Sequence, residues 1–257
     1  MKIVIITQED AYYIPRLIAR LMPQRRGDIA AITIVPGEME VRNVRKYWDF
    51  LGPLDFLRYT ARYGTYRLLD TVLPRGLDGR FYSVRAVARR FRIPVVETAN
   101  VNAPEYLERL RRMGVELVVS VAAPQIFKPE LLRTPPYGCI NVHNSLLPRY
   151  QGMLPSFWVL ANDERYSGTT VHYMNERTDA GDIILQERVE IEPEDTLHTL
   201  VYRTKVTIGP RLLLKAISMI ERGEVPLVGT DPSRATYHSF PDKHAVSRFR
   251  QLGRRFR

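Results

Sequence analysis

Residues 139–152 read CINVHNSLLPRYQG, and residues 169–186 read TTVHYMNERTDAGDIILQ. The first stretch begins with a short apolar, β-branched strand, and the second contains a strand, a polar turn and another strand. Because side chains alternate along a strand, the apolar positions of CINVH face the core, while Asn141 and His143 lie side by side on the opposite face. A strand that buries one face and presents an amide and an imidazole on the other indicates a site.

A third polar residue, Asp179, lies in the turn between the two later strands, 38 positions after Asn141. The first strand is followed by a loop, marked by Pro148 and Gly152. Ligands of open α/β sheets bind beyond the ends of the strands. We therefore expect Asn141, His143 and Asp179 to converge on one small molecule.

The rest of the chain alternates strand and helix patterns. KIVIIT predicts a buried first strand, Asp10 is placed to cap the following helix, and VELVVSVAA is typical of a central parallel strand. These patterns predict an α/β protein with a Rossmann-like, doubly wound, mostly parallel sheet. No Gly-x-Gly-x-x-Gly follows the first strand, so a dinucleotide site is not supported.

Composition excludes several other classes. The chain has 257 residues, 45% of them hydrophobic, with a single cysteine, Cys139, that cannot form an internal disulfide. No apolar run is long enough to span a membrane, and no signal peptide is visible, so we expect a cytoplasmic protein without membrane contact. The histidines are scattered and form no ligand cluster with Cys139, which argues against a metal site.

The Asn-x-His strand, the Ser-Leu-Leu-Pro loop and the Asp-x-Gly turn, in this register, resemble the folate-dependent formyltransferase family. That family includes glycinamide ribonucleotide transformylase, methionyl-tRNA formyltransferase and sugar N-formyltransferases. One departure is Asn144, where the family usually has proline. The resemblance implies the formyltransferase fold, with a catalytic domain over residues 1–223 and a short basic C-terminal extension over 224–257.

The resemblance also implies a reaction, the transfer of a formyl group from N10-formyltetrahydrofolate to an amine without a metal. Attack by the amine places negative charge on the formyl oxygen, and donors aimed at that oxygen stabilise the transition state. Asn141 and a protonated His143 would be those donors. Asp179 would favour the protonated imidazole and accept the proton of the amine, directly or through a water.

Further contacts are implied for the folate, at the exit of the central strand, in the loop and around the Asp turn: Gln125, Ile126, Phe127, Ser145, Leu146, Leu147, Pro148, Thr178 and Gly181. The first three would hold the pterin ring through their main chain. Arg149 is placed to meet the glutamate tail of the folate or an acceptor phosphate, or else it is a solvated loop charge. His172, among apolar neighbours, favours a structural role.

The acceptor stays open. The chain ends sooner than a standard tRNA enzyme with its separate β-barrel domain, which favours a small amine such as an amino sugar attached to a nucleotide. FWVLAND and TTVHYMNE also resemble the sugar N-formyltransferases. The alternatives are formylation of methionyl-tRNA itself, a formyltetrahydrofolate hydrolase in which water replaces the amine, and a non-catalytic folate or RNA binder.

Two basic regions bear on that choice, in a chain of net charge +10. Residues 41–73 have a helical pattern rich in Arg, Tyr and Phe. They predict an amphipathic helical pair with buried aromatics and solvated arginines, or, less favoured, a surface for nucleic acid. Residues 242–257 carry six Lys or Arg against one Asp. They predict a solvated or frayed helix, or else a contact to phosphate of tRNA or of a nucleotide.

Overall fold

The computed structural model describes residues 1–37, 44–77, 79–226 and 228–257. Its strands are β1 (Ile3–Gln8), β2 (Ile29–Val35), β3 (Val95–Glu97), β4 (Leu117–Val121), β5 (Cys139–His143), β6 (Gln151–Gly152), β7 (Tyr166–Tyr173), β8 (Ile183–Glu190) and β9 (Tyr237–His238). Seven of them form one sheet in the order β3-β2-β1-β4-β5-β7-β8, and β6 pairs separately with β9. From β3 to β5 the strands are parallel, whereas β7 and β8 run antiparallel.

Helices connect the strands and cover both faces of the sheet. They are α1 (Ile14–Arg25), α2 (Val44–Leu51), α3 (Pro53–Val72), α4 (Val84–Phe91), α5 (Pro104–Arg112), α6 (Pro129–Arg133), α7 (Pro155–Ala161), α8 (Leu197–Val201), α9 (Gly209–Arg222) and α10 (Lys243–Gln251). The predicted doubly wound, mostly parallel α/β fold is confirmed.

The core lies in two layers, one on each face of the sheet, because alternate residues of β1 face opposite ways. Ile3 and Ile5 pack with the apolar side chains of α1 and α9. Val4 and Ile6 pack on the other face with those of α5. The carboxyl ends of β1, β4 and β5 are left facing the same edge, and this edge carries the site.

Local signals at the helix termini were read correctly. The Asp10 carboxylate accepts hydrogen bonds from the backbone N–H groups of Tyr12, Tyr13 and Ile14, at 2.6, 3.0 and 2.9 Å. Thr196 begins α8 with a capping box. A π-helical stretch over Tyr202–Ile208 joins α8 to α9.

The helical pattern of residues 41–73 is divided in two at Gly52, whose φ of 76° ends α2 before Pro53 starts α3. Residues 41–43 lie outside the described residues. No residue of α3 is fully buried, and Trp48 on α2 is 42% exposed. The aromatic side chains of α3 are nevertheless half-buried on one face of the helix, and Phe50 of α2 is buried, so the predicted burial of the aromatics holds in part.

The C-terminal residues are packed, and the expectation of a solvated or frayed helix is wrong for α10. Asp242 caps the helix by accepting the Ala245 N–H at 2.8 Å. Phe249 and Phe256 are buried in a third apolar cluster with Phe157 of α7. The division of the chain at residue 223 stays a prediction.

Candidate active site

The end of β5 and the turn between β7 and β8 together build the candidate site. The alternation of β5 buries Ile140 and Val142 in the core and turns Asn141 and His143 to the other face, as predicted. Asp179 lies in the β7–β8 turn with a φ of 51°, a left-handed conformation that Asp adopts more readily than most residues.

The structure brings the three predicted residues together. Asn141 Nδ2 donates to Asp179 Oδ1 at 3.2 Å, and His143 Nδ1 lies 3.5 Å from Asp179 Oδ2. The His143 and Asp179 side chains are only 7% and 11% exposed. A carboxylate, an amide and an imidazole far apart in the chain therefore share one small volume, as the sequence predicts, whereas their catalytic roles stay a prediction.

The ionisation of this cluster differs from the expected one. Burial lowers the pKa of His143, and the Asp179 carboxylate and the Tyr150 carbonyl oppose that shift only in part. Burial alone would raise the pKa of Asp179, but His143, His172 and the Gly152 N–H hold it well below its ordinary value. The expected protonated His143 is therefore not favoured, since the structure supports a neutral imidazole beside an ionised Asp179.

Hydrogen bonds fix the position of both groups. His143 Nε2 lies 2.8 Å from the Tyr150 carbonyl, so this nitrogen carries the proton of the neutral ring and Nδ1 faces Asp179. The Gly152 N–H donates to Asp179 Oδ2 at 2.9 Å. At Gly181 a Cβ would lie 1.9 Å from the Tyr173 carbonyl oxygen, so only glycine fits the end of this turn.

The loop that follows β5 is held by its own polar side chains. Ser145 is buried, and its Oγ donates to the Arg149 carbonyl at 3.0 Å. Leu147 is also buried, with its carbonyl accepting from Gln186 Nε2 at 3.0 Å. These hydrogen bonds hold the loop in place, and the folate contacts predicted for the two residues stay a prediction. Arg149 pairs with Glu164, so its predicted contact with an anion gains no support.

The model of the family described as formyl transferase matches residues 75–217, which contain the whole cluster. This chain belongs to the formyl transferase family. The match covers more than half of the chain and leaves α2, α3 and the C-terminal residues outside.

Several relatives with similar sequences are named methionyl-tRNA formyltransferases. A methionyl-tRNA formyltransferase from Kosmotoga olearia is 38% identical over 154 residues, 60% of this chain and 49% of the relative. One from Syntrophus aciditrophicus is 39% identical over 154 residues, with the same shares. The chain spans about half the length of the curated relatives it matches.

Solved structures share the fold of this family member at lower identity. Glycinamide ribonucleotide transformylase 1 from Symbiobacterium toebii has a TM-score of 0.62 at 18% identity, covering 90% of this chain and 92% of its own. A sugar N-formyltransferase from a Shewanella species has a TM-score of 0.61 at 19% identity, covering 93% and 76%. At these identities the likeness supports the fold alone.

The formyltransferase segment predicted to hold the pterin ring follows β4. Gln125 is turned inward, where its amide bonds to the backbone of Val101 and Ala99. Phe127 is buried, while Ile126 between them is 69% exposed. The Ile126 carbonyl accepts from Asn102 Nδ2 at 3.0 Å. Two anchored neighbours thus present one apolar side chain, and the pterin contact itself stays a prediction.

His172 is the residue whose place the sequence missed. Its Nε2 lies 3.3 Å from Asn141 Nδ2 and 3.5 Å from Asp179 Oδ1. Its Nδ1 lies 2.8 Å from the Tyr173 carbonyl, so Nδ1 carries the proton and Nε2 accepts from Asn141. The predicted structural role is incomplete, because His172 also accepts a hydrogen bond from Asn141 and lies beside Asp179. In the sequence, the signal for this place was the alternation of side chains along the strand that contains His172. The pairing of His172 with Asn141, however, depends on the register between β5 and β7.

The C-terminal residues pack against the loop that follows β5. Strand β9 pairs in parallel with β6, the Gln151 N–H donates to the Thr236 carbonyl at 2.8 Å, and the Met153 N–H donates to the His238 carbonyl at 2.8 Å. A cavity of about 460 Å³ lies between this strand, Pro148 and the Asp179 turn, and Thr178 lines it. No local pattern of residues predicts this contact, because it joins segments that are distant in the chain.

Two kinds of site are absent from the described parts of the chain. There, no group of three His, Cys, Asp or Glu side chains is arranged to hold a metal ion. None of the helices in those ranges combines the length and the apolar content needed to cross a bilayer.

Proposed function

We propose that this protein transfers a formyl group from N10-formyltetrahydrofolate to a primary amine. The proposal rests on the convergence of Asn141, His143 and Asp179 inside the segment that matches the formyl transferase family. The folate supplies an activated formyl group when it is bound. The cavity lined by Pro148 and Thr178, and the exposed Ile126 side chain, fit a flat, partly apolar ligand of this kind.

The residues of the cluster divide the chemistry between them. Negative charge that develops on the formyl oxygen needs a donor, and the Asn141 amide supplies an N–H that cannot ionise. The attacking amine must lose a proton, and His143 Nδ1 with the adjacent Asp179 carboxylate is a suitable acceptor. Protonation of His143 is then stabilised by the ionised Asp179 beside it. The bond between the formyl carbon and N10 then breaks, and tetrahydrofolate leaves with a proton on N10, which the protonated His143 can return. No covalent bond between enzyme and substrate is needed.

For the acceptor, the amine of methionyl-tRNA is now favoured over the amino sugar. Methionyl-tRNA formyltransferases are 34–39% identical to this chain over 145–174 residues. The sugar N-formyltransferase from Shewanella is 19% identical, which supports the fold without the substrate. An amino sugar on a nucleotide remains the second candidate.

The test is a set of reactions with N10-formyltetrahydrofolate and one candidate amine each: methionyl-tRNA, an amino sugar nucleotide, glycinamide ribonucleotide, or no amine. Tetrahydrofolate is followed by absorbance and formate is measured separately. We expect tetrahydrofolate only when an amine is present, and fastest with methionyl-tRNA. Release of formate without an amine would replace the transferase by a hydrolase, and no turnover with any amine would refute the proposal.

A further inference from the structure

A group of tyrosines and cations lies outside the catalytic cluster, where the β1–α1 loop meets α3. The Tyr12 ring stacks on Tyr59 with 4.9 Å between centroids, and Tyr66 lies 5.4 Å from Tyr12. The guanidinium of Arg62 lies 5.8 Å from the Tyr12 centroid and 5.2 Å from the Tyr66 centroid. The guanidinium of Arg257 lies 5.7 Å from the Tyr12 centroid. We call this group the tyrosine cleft.

The cations of the tyrosine cleft are not neutralised by carboxylates. Throughout the described ranges, neither Arg62 nor Arg257 forms an ion pair with Asp or Glu, and the same holds for Arg16, which lies 5.7 Å from the Tyr66 centroid. The carboxylate of Asp10 faces the same region, but its oxygens already accept the backbone N–H groups that begin α1. Positive charge therefore remains available to an anion.

The charge of these arginines acts on a side chain in the cleft. His198 Nδ1 lies 2.6 Å from the Tyr13 hydroxyl. Burial, followed by Arg257, Arg62 and Arg16, lowers the pKa of His198 to about 4. The three cations thus act on one half-buried ring, although they come from α1, α3 and the C-terminus.

The charge of a further basic residue, Lys205, affects the pKa of His143, and the charge of Asp10 affects the pKa of Lys205. Lys205 lies on the π-helical stretch and makes no hydrogen bond or ion pair with any residue that the structure describes. Burial lowers its pKa, and Asp10 opposes that shift. The charge of Lys205 also contributes to the lowered pKa of His143. Lys205 is therefore within electrostatic reach of both Asp10 and His143.

Most of the tyrosine cleft lies outside the segment that the family model matches. The family match begins at residue 75 and ends at residue 217. Arg16, Arg62 and their tyrosines precede it, and Arg257 follows it. The formyl transfer chemistry lies in the matched segment, so these additional residues are free to recognise what is particular to the acceptor.

We propose that the tyrosine cleft binds a phosphate group of the amine acceptor through Arg62 and Arg257. The assignment of this phosphate to an amine acceptor rests on the proposed transferase function, whereas the presence of an anion site does not. Guanidinium groups bind phosphate with two parallel hydrogen bonds, and the buried Tyr12 ring holds both guanidinium groups in place. The phosphate is that of a nucleotide sugar or that of the 3′ end of an aminoacyl-tRNA.

Binding is measured first, without turnover, using inorganic pyrophosphate as the probe and calorimetry as the readout. We expect Arg62→Gln and Arg257→Gln each to weaken pyrophosphate binding about tenfold, the effect of one charged hydrogen bond. Arg58→Gln is the matched control, since Arg58 is exposed on the same helix and pairs with Asp55 at 3.5 Å. Equal binding by all three variants and the unchanged protein, or no binding at all, would overturn the proposal.

The source of the phosphate is then found with two ligands, a nucleoside diphosphate and an aminoacylated acceptor-stem RNA. The one whose binding depends on Arg62 and not on Arg58 identifies the acceptor class. With the amine that turns over, Arg62→Gln should raise the KM for the acceptor about tenfold and leave kcat unchanged. If no amine is formylated but pyrophosphate binding still depends on Arg62, the function fails and the anion site stands. Binding of both ligands without dependence on Arg62 removes the site.

Discussion

The catalytic cluster and the tyrosine cleft use charge in opposite ways. In the first, the Asp179 carboxylate is buried and surrounded by Asn141, His143 and the Gly152 N–H, so its partners lie within the fold. In the second, Arg62 and Arg257 lie on aromatic faces without carboxylate partners among the described residues. A satisfied buried cluster positions groups for chemistry, whereas unneutralised cations at a surface are suited to an anionic ligand.

The sharpest test of this contrast is Asp179→Asn, which keeps the shape of the side chain and removes its charge. We expect kcat to fall by about 10²–10³, because the attacking amine loses its proton acceptor and the protonated imidazole its counter-charge. Asn141→Ala and His143→Ala should also cost orders of magnitude. Single-turnover rates measure the loss.

The matched control is Asp182→Asn, which removes a charge from the same turn three residues later. Its rate should stay within about twofold of the unchanged protein, as expected for a surface substitution. Normal turnover by Asp179→Asn would remove Asp179 from the mechanism, and equal losses in both variants would mean that the turn needs charge in general.

Gly181→Ala tests whether the placement of Asp179 matters as much as its charge. The added Cβ would meet the Tyr173 carbonyl oxygen at 1.9 Å, so the turn must shift. A displacement of about 1 Å at reacting groups can cost about a hundredfold in rate. Gly229→Ala, with no atom within 4 Å of the added Cβ, is the control. Unchanged kcat in Gly181→Ala, with an unchanged melting temperature, would contradict the tight fit.

Ionic strength should separate the two regions. Raising salt from about 0.05 to 0.5 M shortens the Debye length well below 10 Å, which screens exposed charges more than buried ones. We expect the KM for the acceptor to rise about tenfold while kcat changes by less than about twofold, in steady-state kinetics. A parallel fall of kcat would place salt-sensitive charge in the catalytic cluster instead.

His198→Gln gives the smallest expected effect and concerns the tyrosine cleft. The pKa of His198 is about 4 in the folded protein against 6.5 for the free side chain, so the unfolded chain binds a proton first as pH falls. Stability from this group is complete above pH 6.5 and is lost as pH falls towards 4. Between pH 7 and 5, the decrease in the free energy of unfolding should be about 1 kcal/mol smaller in His198→Gln than in the unchanged protein. This figure allows for solvent screening of the half-buried ring.

Urea unfolding of both proteins at the two pH values measures this difference. Tyr13→Phe is a useful companion, because it removes the hydroxyl partner of His198 without changing the cations. The same pH dependence in His198→Gln and in the unchanged protein would show that the arginines do not act on this ring.

The burial of the C-terminal residues determines how their charge can be tested. Removal of residues 242–257 would test RNA binding only if that segment were solvated. Phe249 and Phe256 are buried against Phe157, so truncation would destabilise the protein by several kcal/mol. Charge substitutions at exposed positions, such as Lys243→Gln, leave this cluster intact and test the charge itself.

The parts of the site that the sequence could predict depend on neighbouring residues. The parity of β5 determined that Asn141 and His143 share a face, and the glycine of the β7–β8 turn marked where Asp179 lies. The parts that it could not predict depend on pairing between distant segments. His172 joins the cluster through the antiparallel register of β5 with β7, and Thr236 reaches the loop through β9.

Burial accounts for the remaining difference. The residue types of the cluster suggested a protonated imidazole, because a carboxylate near histidine favours the charged form. In the folded protein, removal of His143 from water outweighs that attraction and lowers its pKa. The sequence alone determined the fold class, the face of the strand and the three polar residues, since these follow from local periodicity and turns. Only the tertiary structure decided ionisation, the role of His172 and the tyrosine cleft, because each depends on what distant segments bring next to a side chain.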